Sequence, residues 1–113
     1  MNISEYLKEH IVYLDGGTGT LLQSAGLLPG EEPERWNITH PEKIEDIARS
    51  YYDAGSNIVC TNTFGANILK FSEDELQNII ENAVKIVRRA KESSKGNQEK
   101  FIALDIGPTG KLL

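Results

Sequence analysis

The sequence predicts an α/β fold built on parallel strands, and three observations carry that reading. Ile11-Val12-Tyr13-Leu14, Ile58-Val59-Cys60-Thr61 and Phe101-Ile102-Ala103-Leu104 are short apolar runs of strand length. Each delivers glycine and small polar residues to its C-terminal end: Asp15-Gly16-Gly17-Thr18-Gly19-Thr20, Asn62-Thr63-Phe64-Gly65 and Asp105-Ile106-Gly107-Pro108-Thr109-Gly110. The runs recur roughly every 40 to 50 residues, and helical apolar spacing fills the intervals, as in right-handed βαβ crossovers. The three loops would then converge on one pocket, because α/β folds bind ligands at that edge of the sheet. Spacing by itself leaves two architectures open, a doubly wound sheet and a (β/α)8 barrel.

Taken in order, residues 2–9 read as a short helix with Ile3, Tyr6 and Leu7 on one face. The first strand follows at 11–14, apolar enough to be expected as a buried one. Residues 20–25 suit a short helix stopped by Gly26. Residues 28–37 are too rich in proline, glycine and charge for regular structure, and their length suits a lid or substrate-facing loop. Within it, Trp36 reads as a loop anchor or as a side chain closing over a ligand.

Pro41 fits the first turn of the next helix, with His40 or Thr39 as its cap. Ile44, Ile47, Ala48, Tyr51 and Ala54 then recur at helical spacing, Tyr52 falls beside that face, and Gly55 supplies the stop. The second strand is expected at 57–61. Ser72 and Glu75 make a capping box for a long helix whose buried face is marked by Leu76, Ile79, Ile80, Ala83, Val84, Val87 and Ala90. Lys85, Arg88, Arg89 and Lys91 place positive charge in its C-terminal half, as the helix dipole favours. Residues 93–100 turn the chain into the third strand. Three parallel strands leave two open edges and an uncovered face, so residues 1–113 are expected to be the opening part of a larger domain.

Composition narrows the function classes. The chain has 113 residues, 39% hydrophobic and 26% charged, which suits one soluble globular unit. Its net charge of −5 and lack of a basic run argue against nucleic-acid and anionic-membrane partners. The single cysteine, Cys60, excludes an internal disulfide and fits a reducing compartment. The first residues lack the basic and apolar segments of a signal peptide, and no apolar run nears the roughly 18 residues that span a bilayer. The expected location is cytoplasmic.

Asp15 can accept hydrogen bonds from an ammonium group, while the glycines after it let backbone N–H groups approach a ligand. The competing reading is a tight turn capped by Asp15. A phosphate cradle is the weaker alternative, since neither the Walker pattern nor Gly-x-Gly-x-x-Gly is present. Thr61, Asn62 and Thr63 offer small polar side chains to a polar ligand, or else cap their own loop. Cys60 sits inside an apolar run and reads as an inert thiol. His10 and His40 have no metal-ligand spacing around them, so no metal ligand and no catalytic residue is assigned.

Four ordered stretches together resemble the homocysteine S-methyltransferase domain: residues 14–23, Pro33-Glu34-Arg35-Trp36-Asn37, residues 61–67 and residues 105–111. The likeness is particular to the N-terminal homocysteine-binding module of cobalamin-dependent methionine synthases. The resemblance implies a TIM-type (β/α)8 barrel, of which this chain would hold the first three βα units. It implies homocysteine at the C-terminal face, with Asp15, Gly16, Gly17, Thr61, Asn62 and Thr63 as substrate-binding residues.

It further implies zinc, bound in the complete domain by three cysteine thiolates on later strands. There the metal turns the homocysteine sulfur into a thiolate that takes a methyl group, from a donor such as methylcobalamin, and gives methionine. Cys60 matches none of those zinc ligands. The isolated chain is therefore expected to be inactive. The alternative is a non-catalytic fragment or assembly module that self-associates, or pairs with a partner, through its open strand edges.

Overall fold

The computed structural model describes residues 2–107. Its elements are α1 (Ile3–Leu7), α2 (Gly19–Ser24), a 3-10 turn (Pro33–Arg35), α3 (Trp36–Thr39), α4 (Pro41–Asp53), β1 (Ile58–Cys60), α5 (Glu73–Ser93) and β2 (Phe101–Ala103). The strands are parallel, with Ile58 opposite Phe101, Val59 opposite Ile102 and Cys60 opposite Ala103. The described residues thus contain one complete βαβ unit, β1–α5–β2. Pro108, Thr109, Gly110 and Lys111, part of the third motif and of the resemblance, lie outside the described residues.

Local chemistry sets the helix boundaries. Asn2 caps α1 by accepting the Glu5 N–H at 2.9 Å. Ser72 and Glu75 form the expected capping box on α5: each side chain accepts the other's backbone N–H at 3.3 Å. Pro41 occupies the first turn of α4, and the helix ends at Gly55, whose φ is +108°. His40 takes the cap position without a side-chain cap bond. Its ring nitrogen pairs with the Thr39 hydroxyl at 2.8 Å instead, and the ring packs on Trp36.

The core lies between the helices and one face of the sheet. Ala48 and Tyr52 of α4, Val59 of β1 and Val87 and Ala90 of α5 form one cluster; Leu22, Trp36, Ile44 and Ile86 form another. Val59 is buried, while its neighbours Ile58 and Cys60 point to the other face and stay half-buried, as strand alternation requires. Tyr52 is fully buried and donates its hydroxyl to the Phe101 carbonyl at 2.7 Å. It belongs to the core and not beside it, because the buried face of α4 runs Ile44, Ala48, Tyr52 and leaves Tyr51 half-buried at its edge. On α5, Ile79, Ala83, Val87 and Ala90 are buried as expected and Ile86 joins them, while Leu76, Ile80 and Val84 lie half-buried at the edges of that face.

Two expectations are corrected. The first run makes no strand but a single parallel bridge, Leu14 to Ile58, so its edge of the sheet is only begun. It is also exposed: Ile11 by 76%, Tyr13 by 62% and Leu14 by 65%. Apolar composition reports what a segment can bury, whereas burial needs a second layer, and no described residue covers this face. The loop at 28–37 is also more regular than expected. Pro33 opens the 3-10 turn, where its fixed φ suits a first helical position, and α3 continues from it. Trp36 is an anchor, 3% exposed, with its ring N–H donated to Glu31 at 3.2 Å.

Asn57 stitches the sheet together at its N-terminal side. Its backbone N–H donates to the Tyr13 carbonyl at 2.7 Å, its Oδ1 accepts the Tyr13 N–H at 3.0 Å, and its Nδ2 donates to the Glu99 carbonyl at 2.8 Å. Removing this side chain leaves a donor and an acceptor without partners in partly buried surroundings. Asn57→Ala is expected to lower stability by about 2–3 kcal/mol in denaturant titration. A loss below about 0.5 kcal/mol would show that water replaces both bonds.

Candidate functional site

The three segments end side by side, and their loops are tied to one another. Asp15 follows the Leu14 bridge, donates its own N–H to the Ile58 carbonyl at 3.0 Å and accepts the Cys60 N–H on Oδ2 at 3.1 Å. The Tyr51 hydroxyl donates to the Gly17 carbonyl at 2.9 Å. A Cβ on Gly16 would stand 2.9 Å from that hydroxyl oxygen and so would displace the Tyr51 side chain, whereas Gly17 has open space where a side chain would be.

At the next strand end the threonines face inward. Thr61 and Thr63 are 2% and 3% exposed. The Thr63 hydroxyl donates to the Asp105 carbonyl at 2.6 Å, and the Thr61 hydroxyl oxygen accepts the Asp105 N–H at 3.2 Å. The two hydroxyls are 2.8 Å apart. Since Thr63 has already given its proton to Asp105, Thr61 is the donor between them. Both hydroxyl protons are thereby committed to joining the ends of β1 and β2.

Asn62 reaches the other way. Its Nδ2 donates to the Pro33 carbonyl at 2.8 Å and to Asn37 Oδ1 at 3.0 Å, and Asn37 Nδ2 returns a bond to the Asn62 carbonyl at 2.9 Å. A further bond from Asn37 to the Ile79 carbonyl, at 3.3 Å, completes the pairing of this fully buried amide. The 3-10 turn and α3 are thus fastened over the end of β1.

These ties enclose an open cavity of about 400 Å³. Asp15, Gly16, Gly17, Thr61, Asn62 and Thr63 all line it, so the structure brings the six sequence-predicted residues together. Glu34, Tyr51 and Asp105 line it as well. Glu34 was hidden in the sequence because a glutamate in a charged loop reads as solvated; only its place in Pro33-Glu34-Arg35-Trp36-Asn37 marked it. Tyr51 was legible as a residue of the α4 face and not as a wall of the site.

The lining is electronegative: three carboxylates and no lysine, arginine or histidine. Burial pushes the Cys60 thiol up to about 11, helped by the charges of Asp15 and Asp105 and a hydrogen bond to Asp15. Burial likewise raises the Glu34 carboxyl, against the pull of its own N–H, the Gly65 N–H and Lys70. Burial also takes Tyr52 up to about 12, with Asp15 and Cys60 adding to it. A phosphate would meet three like charges here, which disfavours the cradle reading. Among the described residues no group of three or more histidine, cysteine or acidic side chains can hold a metal ion. A lone, protonated thiol does not fit a three-thiolate zinc site.

The described residues thus define a parallel α/β fold with an acidic cavity at its C-terminal strand ends, the edge at which such folds hold their sites. The chain belongs to the homocysteine S-methyltransferase family, whose model matches residues 12–113. Methionine synthase of Mycobacterium tuberculosis is 31% identical over 98% of the chain, and that of Mycobacterium leprae is 32% identical over 98%. The chain spans 10% of the length of either relative. Among solved structures, the metallated form of the Escherichia coli homocysteine methyltransferase MmuM superposes with a TM-score of 0.80 at 22% identity, covering 94% of this chain and 41% of that one. Its oxidized form gives 0.80 at 23% identity, with 92% and 40% covered. The fold is shared with both.

The raised thiol makes a direct prediction. Below its pKa of about 11 the thiol is protonated, so the rate of Cys60 alkylation by iodoacetamide is expected to climb about tenfold per pH unit from 7.5 to 10. A plateau by pH 9, read by mass spectrometry on the folded chain, would show an ordinary thiol. Asp15→Asn is expected to move the whole profile to lower pH.

Proposed function

We propose that this chain forms the homocysteine-holding side of a methyltransferase site, in a reaction that places a methyl group on the homocysteine sulfur and yields methionine. The observation that carries the reading is the convergence of Asp15, Gly16, Gly17, Thr61, Asn62 and Thr63 on one cavity with an acidic lining, in a chain of this family. Asp15 has one carboxylate oxygen engaged by Cys60 and offers the other to the substrate ammonium. Gly16 and Gly17 give the substrate carboxylate access to backbone, and Tyr51 holds their turn through the Gly17 carbonyl.

Thr61 and Thr63 act at one remove. Their hydroxyls hold the ends of β1 and β2 in register, so the walls keep their spacing when a ligand enters. Asn62 holds the turn at Pro33 closed over the site. These residues bind and orient; none of them is placed to act on the reacting sulfur. The zinc that the sequence resemblance implies finds no ligand set among the described residues, so this reading assigns them substrate holding and not metal binding.

A second reading is favoured by one observation, the exposed apolar set around the open sheet edges: Ile11, Leu14, Leu104 and Ile106. It makes the chain an assembly module that pairs those edges with a second copy or a complementary barrel portion. Sedimentation separates the two readings: a concentration-dependent dimer favours assembly, whereas a monomer with an intact homocysteine site favours the substrate cradle.

Calorimetric titration with L-homocysteine tests the main reading. The chain is expected to bind it, Asp15→Asn to weaken binding by about tenfold or more, and the isolated 113 residues to form no methionine from any methyl donor. Absence of binding by the native chain would remove the proposal.

A further inference from the structure

We propose that residues 2–17 form an arm that opens from the sheet as one unit while the core stays folded, and that the cavity holds its ligand only when the arm is closed. The identity of that ligand rests on the homocysteine reading above; the opening of the arm does not.

None of residues 2–21 is buried. Ile3, Tyr6 and Val12 are half-buried, and Leu7, Ile11, Tyr13 and Leu14 are each more than half exposed. Hydrophobic stabilisation follows the area removed from water, so it holds this segment only weakly. Polar bonds along one edge of β1 hold it instead. The Tyr13 carbonyl accepts the N–H groups of Asn57 and Ile58 at 2.7 and 3.2 Å, and the Tyr13 N–H donates to Asn57 Oδ1 at 3.0 Å. The Asp15 N–H donates to the Ile58 carbonyl at 3.0 Å, and Asp15 Oδ2 accepts the Cys60 N–H at 3.1 Å. The Tyr51 hydroxyl adds its bond to Gly17, and the Tyr6 ring meets Phe101 edge-on with centroids 5.8 Å apart. On the other face of β1 the balance is reversed: Val59, Ala83, Val87 and Ala90 are all 2% exposed or less. A segment with hydrogen bonds but little apolar burial opens at lower free energy than such a core.

The arm also has a natural hinge. Leu22 of α2, 1% exposed, packs with Trp36, Ile44 and Ile86 and fixes the chain beyond it. Between this anchor and the Asp15 ties lie Gly17 and Gly19, where a Cβ would meet nothing within 4 Å, so the backbone there swings without a clash. The seam divides the cavity lining. Asp15, Gly16 and Gly17 travel with the arm. Thr61, Asn62 and Thr63 stay behind, because their side chains are bonded to one another, Asp105, Pro33 and Asn37, none of which belongs to it. A ligand spanning both halves therefore holds the arm closed and loses its site when the arm opens.

Amide hydrogen exchange, followed by NMR on the 113-residue chain, tests both parts. The N–H groups of Tyr13, Asp15, Ile58 and Cys60 all bond across the seam. They are expected to share one protection factor, about tenfold or more below those of Ala83 and Ile86 within α5. Protection equal to that of α5 would make arm and core one cooperative unit, and four unrelated protection factors would mean piecemeal fraying; either overturns the inference. L-Homocysteine at about 100 times its Kd is then expected to slow seam and α5 amides alike, by about 100-fold, because opening the arm releases the ligand just as unfolding does. Slowing of the α5 amides alone would show that the ligand stays bound while the arm is open, which overturns the coupling. Rates that homocysteine leaves unchanged throughout would remove the homocysteine reading and the coupling with it, while the ligand-free rates still decide the arm.

Discussion

Asn57 sits where three segments far apart in sequence must meet, and the remainder of the site follows from its bonds. Its side chain occupies the N–H of Tyr13 and the carbonyl of Glu99, while its backbone joins Tyr13 and Phe101. One residue thereby aligns the first run, β1 and β2 at their N-terminal side. Strands started in register end in register a few residues later, so Asp15, Thr61 and Asp105 arrive together at the other side. An asparagine suits the place because its amide presents one acceptor and two donors in a fixed plane. A buried amide left half-paired would cost as much as a correctly paired one gains, which makes the alignment nearly all-or-none.

The C-terminal side repeats the principle with smaller groups. Thr61 and Thr63 pass their two protons in one direction, Thr61 to Thr63 and Thr63 to the Asp105 carbonyl, and receive the Asp105 N–H in return. Asn62, between them in sequence, points the opposite way and grips the Pro33 and Asn37 loop. A tight bend at Asn62, closed by the Thr63 N–H on the Thr61 carbonyl at 2.9 Å, thus splits one tripeptide into two tasks, joining strand ends and fastening the Pro33 loop. What is left open between these ties is a cavity whose charged groups are all acidic, with Cys60 kept as a neutral thiol by burial and, secondarily, by its acidic neighbours. Electrostatic character here is a result of assembly: the three carboxylates come from three segments far apart in sequence, two strand-end loops and the 3-10 turn.

Much of the fold was legible because its signals are local. The Ser72 and Glu75 pair, Pro41 at a helix start, Gly55 at a helix end and the apolar spacing of Ile79, Ala83, Val87 and Ala90 each act within one or two turns. The misreadings share a cause. Ile11, Tyr13 and Leu14 have the composition of a buried strand but lack a covering layer. Pro33 and its charged neighbours look like irregular loop, yet bonds from Asn62, 29 positions away from Pro33, fold them into a turn and a short helix. Tyr52 looked peripheral until packing against Val59 and a hydrogen bond to Phe101 placed it in the core.

Most helix positions, the parallel βαβ character and the family were legible in the sequence, because capping residues, repeated strand-end motifs and ordered spacing are properties of the chain. Tertiary structure alone decided which polar groups remain free for a ligand. The threonine hydroxyls that seemed available are spent on the sheet, and Glu34, which seemed solvated, is buried against Gly65 in the cavity wall. The reason is that hydrogen-bond capacity is finite and charge depends on burial. Which partner uses a donor first, and which carboxylate loses its water, is set by residues distant in sequence that only the folded chain brings into contact.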